Sequence, residues 1–234
     1  MSIKTDVEYR PVLDLEYLKN EDRLKIFSKV NHSKFFFIEI GAYDGITNDP
    51  VFELIEKYNW RGILCEPLPG GVFKRLVMNH KDHKNLIFKN VAIYKEKGNF
   101  DFFYNGAGSS FVKRDNLTEE WGKNFGKVYF DSLKNAEKIL VKTITWEDLV
   151  KEYDIKYFDF LHIDTEGMDY KIINEILKSI TPTILEFESN LFYSIRESKN
   201  FFNALRKHDY KLYYNNYRYA SYDCFAIQRR ALCS

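Results

Sequence analysis

The sequence predicts an α/β fold: a sheet of mostly parallel strands, helices on both faces, and a C-terminal antiparallel hairpin. Three observations predict it. Apolar runs of strand length alternate with segments of helical period, the pattern of a parallel sheet wrapped by helices. Turn residues punctuate the ends of those runs, as at Gly41 to Gly45 and at Pro67 to Gly71. The last two runs, 210–214 and 222–227, are joined by a short polar segment containing Asn215 and Asn216, too short for a crossover helix.

The elements follow in order. Residues 1–30 read as an N-terminal helical cap with Leu24, Ile26, Phe27 and Val30 as its apolar stripe. Residues 35–40 form the first strand, followed by a Gly-bearing turn and a helix from about Asn48 to Tyr58. Residues 62–66 form the second, stopped by Pro67 and Pro69-Gly70-Gly71 before a helix through Leu76, and 86–88 the third. From Asn99 to Lys142 the periodicity weakens, and a loop-rich insert over 100–142 reads as a lid or substrate-recognition element. A helix over 146–153 enters the fourth core strand, 158–163, which leaves through a helix over 169–177. Residues 183–187 form the fifth strand, opened by Pro182 as a residue tolerated at a sheet edge, and a helix around 201–207 precedes the hairpin. The 234 residues suit a single domain, 1–234.

Composition excludes several classes of function. Lys and Arg total 35 against 34 Asp and Glu, so no basic excess exists to hold a phosphate backbone, and nucleic acid is set aside as a partner. No stretch approaches the roughly 18 apolar residues of a membrane helix, and the first ten residues lack the order of a secretory leader. A soluble, cytoplasmic protein is expected. Cys65, Cys224 and Cys233 lack C-x-x-C spacing and read as reduced packing residues. The high aromatic content, 17%, reads as composition bias, with the subset between Phe100 and Phe130 placed where stacking on sugar rings is useful.

Chemistry concentrates at the strand ends. Glu39-Ile40-Gly41-Ala42-Tyr43-Asp44-Gly45 puts an acid at a strand end, then glycines that let the backbone approach a ligand in the crevice where open α/β sheets bind cofactors. A carboxylate there opposes a pyrophosphate but suits the methionyl ammonium of S-adenosylmethionine (SAM), and the third glycine of G-x-G-x-x-G is missing. A plain tight turn is the alternative. Glu66, about 25 residues on, sits near the offset at which an acid meets ribose hydroxyls, or is a solvated turn acid. Leu161-His162-Ile163-Asp164-Thr165-Glu166-Gly167 is the most specific stretch: alternation puts His162 and Asp164 on one face, where either can accept a proton from a hydroxyl being methylated. Glu188 at the tip of the next strand can orient the acceptor. Against these stand a hydrogen-bonded core histidine at 162, a helix cap at Glu166 and a solvated acid at 188. Asp164, His162 and Glu188 can also hold a divalent ion, an option left open. The His80-Lys81-Asp82-His83 cluster reads as exposed loop, and its weak metal spacing is discounted.

Taken together, 38–45 with Asn48, Gly62 to Pro67, Asn90-Val91-Ala92-Ile93, Ser109-Ser110, 161–167 and Phe187-Glu188 resemble the FkbM-type, SAM-dependent methyltransferase family over about residues 35 to 190. The resemblance implies a class I SAM-dependent methyltransferase (Rossmann-like) fold, SAM as methyl donor, and O-methylation of a hydroxyl on a sugar, glycan or glycosylated metabolite. By the same resemblance Glu39, Gly41 and Gly45 line the methionyl end with Ala42, Tyr43, Asp44 and Asn48 in that turn. Glu66 with Pro67 meets the ribose, Asn90 and Val91 the adenine, and Asp164 sits at the reaction centre. Tyr43 stands where the family usually has Asn, and His162 where Lys is usual. Three other readings compete: a nicotinamide-dependent oxidoreductase on the same fold, a catalytically silent module that binds a glycan, and, more weakly, an RNA or DNA methyltransferase, for which the chain has neither an Asn/Asp-Pro-Pro-aromatic motif nor a basic face. The acceptor and the oligomeric state are not specified by the sequence.

Overall fold

The computed structural model describes residues 15–111, 135–189, 195–218 and 221–232. The order is β1 (Glu16–Tyr17), α1 (Asn20–Ser28), β2 (Phe36–Ile40), α2 (Phe52–Tyr58), β3 (Arg61–Cys65), α3 (Gly71–Asn79), β4 (Leu86–Lys89), β5 (Ala92–Ile93) and β6 (Gly98–Tyr104). It continues with β7 (Glu137–Ile144), α4 (Trp146–Tyr153), β8 (Phe160–Ile163), α5 (Asp169–Leu177), β9 (Ile184–Ser189), α6 (Ile195–Lys207), β10 (Tyr210–Arg218), β11 (Ser221–Gln228) and a 3-10 turn (Arg229–Leu232).

The main sheet runs β1-β10-β11-β9-β8-β2-β3-β4. Strands β4, β3, β2, β8 and β9 are mutually parallel, and β11 slots between β9 and β10, antiparallel to both. The hairpin is therefore present, but only its second strand opposes the rest of the sheet. Asn215 and Asn216 do not form its turn: β10 continues to Arg218, with a register shift between Tyr214 and Asn216. A polar pair inside a strand looked like a turn because a bulge and a turn favour the same residues. Nor is β9 an edge strand. Pro182 lies two residues before Ile184, its first residue, so the missing N–H removes no ladder bond, and its carbonyl accepts from the Tyr210 hydroxyl.

Alternation along the strands splits the core into two layers. Ile38, Ile40, Ile63, Cys65, Leu161, Ile163, Leu185 and Phe187 face α4, α5 and α6, which supply Trp146, Leu149, Ile172, Ile173, Ile176, Phe201, Phe202 and Leu205. Phe37, Leu64, Phe160, Ile184 and Phe225 face the other way, against Phe27 of α1, Leu54 and Ile55 of α2 and Leu76 of α3. Helices thus cover both faces, which is why the parallel strands read as near-continuous apolar runs. Cys65 and Cys224 are buried packing residues; Cys233 lies outside the described residues. Within the N-terminal segment, α1 accounts for the expected stripe: Phe27 is fully buried, with Leu24, Ile26 and Val30 packed beside it, and the two-residue β1 precedes it.

The stretch over 100–142 differs from the expectation of a loop. Its two ends, β6 and β7, pair antiparallel from Gly98↔Thr143 to Tyr104↔Glu137, and β5 joins β7 to complete a three-stranded second sheet. Phe102 and Val141 pack from this sheet onto Leu68 and Val72. Half-exposed strands of mixed polarity carry a weak period, which hid them. The middle of the insert, 112–134, lies outside the described residues. Among the described residues no helix is long and apolar enough to cross a membrane.

Candidate active site

The crevice opens beyond the carboxyl ends of β2, β3 and β8, where the chain leaves the sheet. Ile40 and Gly41 form one side, Cys65 to Leu68 the next, Val91 to Ile93 a third, and Asp164 and Thr165 the floor; Met168 and Ile172 of α5 and Phe102 and Phe111 close it. The space between these residues, open solvent at its mouth included, is about 520 Å³. Of the residues picked from the sequence, the structure brings Gly41, Tyr43, Glu66, Pro67, Val91 and Asp164 into this one lining. Phe111, from the predicted insert, meets Phe102 edge-on at 4.8 Å and stacks on Tyr94 at 4.3 Å.

Glu66 is 3% exposed. Its Oε2 accepts from the Tyr43 N–H and its Oε1 from the Leu68 N–H, both at 2.7 Å, so it braces the glycine turn and the β3 exit at once. Burial pushes its pKa up to about 7, with those two bonds opposing the shift. Asn90 sits behind it and donates to the Glu66 and Leu68 carbonyls at 2.8 and 3.2 Å, outside the lining. Asp44 caps its own turn, accepting from the Ile46 and Thr47 N–H groups and the Thr47 hydroxyl. Ala42 is buried, while Tyr43, Gly45 and Asn48 turn the backbone with positive φ.

The acids at the β8 and β9 tips divide into two groups. Asp164, Glu166 and Glu188 offer ligand-capable oxygens within 4.8 Å of one another. Asp164 keeps exposed surface toward the crevice, yet loss of hydration at its floor, then the negative charge of Glu188 and Glu166, raise its pKa well above the usual carboxylate range. His162 is not in this group. It lies inside β8, and its Nδ1 faces Glu39 Oε1 at 3.2 Å, with Asp49 completing a second cluster within 4.8 Å. The alternation that joined His162 to Asp164 ends at Ile163, so the ligand set Asp164, His162 and Glu188 is not assembled.

In this second cluster Glu39 is 1% exposed, and Glu39 Oε2 and Asp49 Oδ2 are buried without a hydrogen-bond partner. Burial pushes both carboxyls up to about 8, and neighbouring negative charge adds to the shift. The register explains the gathering: Glu39, His162 and Glu186 occupy one row across β2, β8 and β9. Glu186 is neutralised by Arg23 of α1 through bonds of 2.9 and 2.7 Å.

Sequence reasoning passed over Asp49, Arg23, Glu186 and Asp169. Asp169 is fully buried and accepts from the Thr165 N–H at 2.9 Å and the Glu188 N–H at 3.2 Å, tying the floor loop to the β9 tip. An acid in the first turn of a predicted helix was the available signal. The expectation of an exposed loop fails at His80: this C-cap of α3 is fully buried, its Nε2–H donating to the Gly45 carbonyl at 3.0 Å.

A parallel sheet ordered β4-β3-β2-β8-β9 with a single antiparallel strand inserted near its edge, and a crevice at the strand tips, defines the class I SAM-dependent methyltransferase fold. The chain belongs to the FkbM methyltransferase family, whose domain model matches residues 39–219. Among solved structures it is similar to the methyltransferase FkbM from Methylobacillus flagellatus KT, at 11% identity and a TM-score of 0.51, over 94% of this chain and 50% of that one. It therefore spans half the length of that protein, and the likeness concerns the fold. Weaker similarity extends to an O-methyltransferase from Bacillus cereus in complex with S-adenosylhomocysteine (SAH), at 12% identity and TM-score 0.46, over 97% of this chain and 93% of that one. A precorrin-6y C5,15-methyltransferase from Geobacter metallireducens GS-15 gives 13% and 0.45, over 92% and 94%. No curated protein matches the chain.

Proposed function

We propose that the protein transfers a methyl group from SAM to a hydroxyl oxygen of a sugar, a glycan or a glycosylated metabolite. The observation that carries this reading is Asp164 on the floor of the crevice, with Glu166 and Glu188 offering oxygens within 4.8 Å of it just outside the lining.

The donor set fits the cofactor. Glu66 keeps acceptor capacity beyond the two backbone N–H groups it already holds, which suits ribose hydroxyls. Glu39, 1% exposed and outside the crevice lining, is not open to the methionyl ammonium. Val91, Ile93, Phe102 and Ile172 offer the apolar walls an adenine ring needs. When bound, SAM supplies an electrophilic methyl group on a sulfonium.

The remaining work falls to the chain. Asp164 accepts the hydroxyl proton as the new C–O bond forms, and its raised pKa makes it a stronger base than an ordinary carboxylate. Glu166 and Glu188 accept from neighbouring hydroxyls and so orient a polyol; the same three acids would repel a phosphodiester backbone. His162 and Asp49 act as positioning residues that hold Glu39.

Incubation with methyl-labelled SAM and a panel of sugar nucleotides and oligosaccharides tests the reading by mass spectrometry and NMR. A methyl ether is expected on a sugar, with kcat lowered about 100-fold or more in Asp164→Asn and little change in SAH affinity. Methylation at nitrogen, or undiminished turnover in Asp164→Asn, would overturn it.

A further inference from the structure

We propose that Glu56, His80 and His83 form a divalent metal site, matched best to Zn2+, that ties α2 and the α3–β4 connection to the glycine turn of the crevice. One ligand-capable atom from each of the three lies within 4.8 Å of the other two. Glu56 comes from α2, while His80 and His83 flank the end of α3, so the site joins segments that the sheet alone does not hold together.

The ring nitrogens are set up for a metal. The Gly45 carbonyl can only accept, so His80 Nε2 carries the hydrogen and the neutral ring presents Nδ1 as a lone pair. That Nδ1 is buried and has no hydrogen-bond partner, although His80 itself is 0% exposed. His83 repeats the arrangement. Its Nδ1 lies 3.3 Å from Asn59 Oδ1, and its Nε2 faces Glu56 Oε1 at 2.6 Å. With Nδ1–H donated to Asn59, Nε2 meets Glu56 Oε1 either through a hydrogen or, in its place, through a metal ion. A backbone carbonyl and an amide oxygen fixing the far ring nitrogens is the support that metal-bound histidines show.

Two imidazoles and one carboxylate form a Zn2+ ligand set that leaves a fourth position for water, and Glu56 at the surface opens that position to solvent. Mg2+ and Ca2+, which take oxygen ligands, are disfavoured by the same set. The link to the crevice is direct: a Cβ at Gly45 would lie 2.5 Å from His80 Nε2, so the ring and the turn are in contact.

The test uses untagged, chelator-treated full-length protein and calorimetric titration with Zn2+ alone and Mg2+ alone. The proposal expects one Zn2+ per chain, no Mg2+ binding, and affinity lowered about 100-fold in both Glu56→Gln and His83→Ala. Both variants change side chains at or near the surface, and circular dichroism checks that they fold. Co2+ in place of Zn2+ is expected to give a tetrahedral visible spectrum that His83→Ala loses. Failure of the wild-type protein to bind Zn2+, or wild-type affinity in either variant, would overturn the proposal.

Discussion

The carbonyl oxygen of Asp164 occupies the space that a side chain on Gly41 would need: a Cβ there would lie 1.9 Å from it. The contact joins the two functional strand tips, because Asp164 N–H also donates to the Ile40 carbonyl at 3.0 Å and Gly41 N–H to the Cys65 carbonyl at 2.9 Å. Gly41, with φ at 91°, is thus required twice, by backbone conformation and by packing.

Gly41→Ala is expected to cost roughly 2 kcal/mol or more, since the backbone of Asp164 cannot swing away as a flexible side chain would. It also moves Asp164 off the crevice floor, so methyl transfer falls further than stability does. Urea denaturation and turnover measured on the same preparation check both outcomes.

The Glu39 and Asp49 carboxyls, each pushed up to about 8, set an unusual pH dependence. Between the ordinary carboxyl range of about 4 and pH 8 the folded state keeps protons that the unfolded chain has lost, so stability falls as pH rises through that window. The limiting slope is about 1.4 kcal/mol per pH unit for each group. In thermal melts across the window, Glu39→Gln is expected to flatten the fall and to melt above wild type at the alkaline end. An unchanged profile would contradict the assignment.

Arg23 reaches from α1 to Glu186 in the middle of the sheet, with side chains 4% and 5% exposed. Arg23→Ala leaves a buried acid in the row with Glu39 and is expected to cost about 3–5 kcal/mol. The double variant Arg23→Met, Glu186→Leu is expected to lose much less, because it removes both charges. Denaturant unfolding of the wild-type protein and the two variants checks this order of stability.

What the sequence displays follows from distance along the chain. The helices over 146–153 and 169–177 were legible to the residue, since caps and a 3.6-residue period are local; Thr145 and Asp148 form the capping box of the first. The strand cores at 36–40, 61–65 and 160–163 were legible because they are buried on both faces. What stayed hidden is set by pairing. The row Glu39, His162 and Glu186 spans residues far apart in sequence, and only the register shows that His162 faces Glu39, while Asp164, past the end of the ladder, meets Glu188. Likewise nothing near His80 announces that it enters the core to meet Gly45. The crevice residues at turns were found because glycines and acids at strand ends are local signals.

The central claim is that the crevice edged by Glu66 holds SAM, and calorimetric titration with SAH tests it most directly. The account predicts one site per chain, with affinity lowered roughly 10- to 100-fold in Glu66→Ala, as expected for lost hydrogen bonds to a charged acceptor, and less in Glu66→Gln. No binding to the wild-type protein, or full affinity in Glu66→Ala, would contradict it.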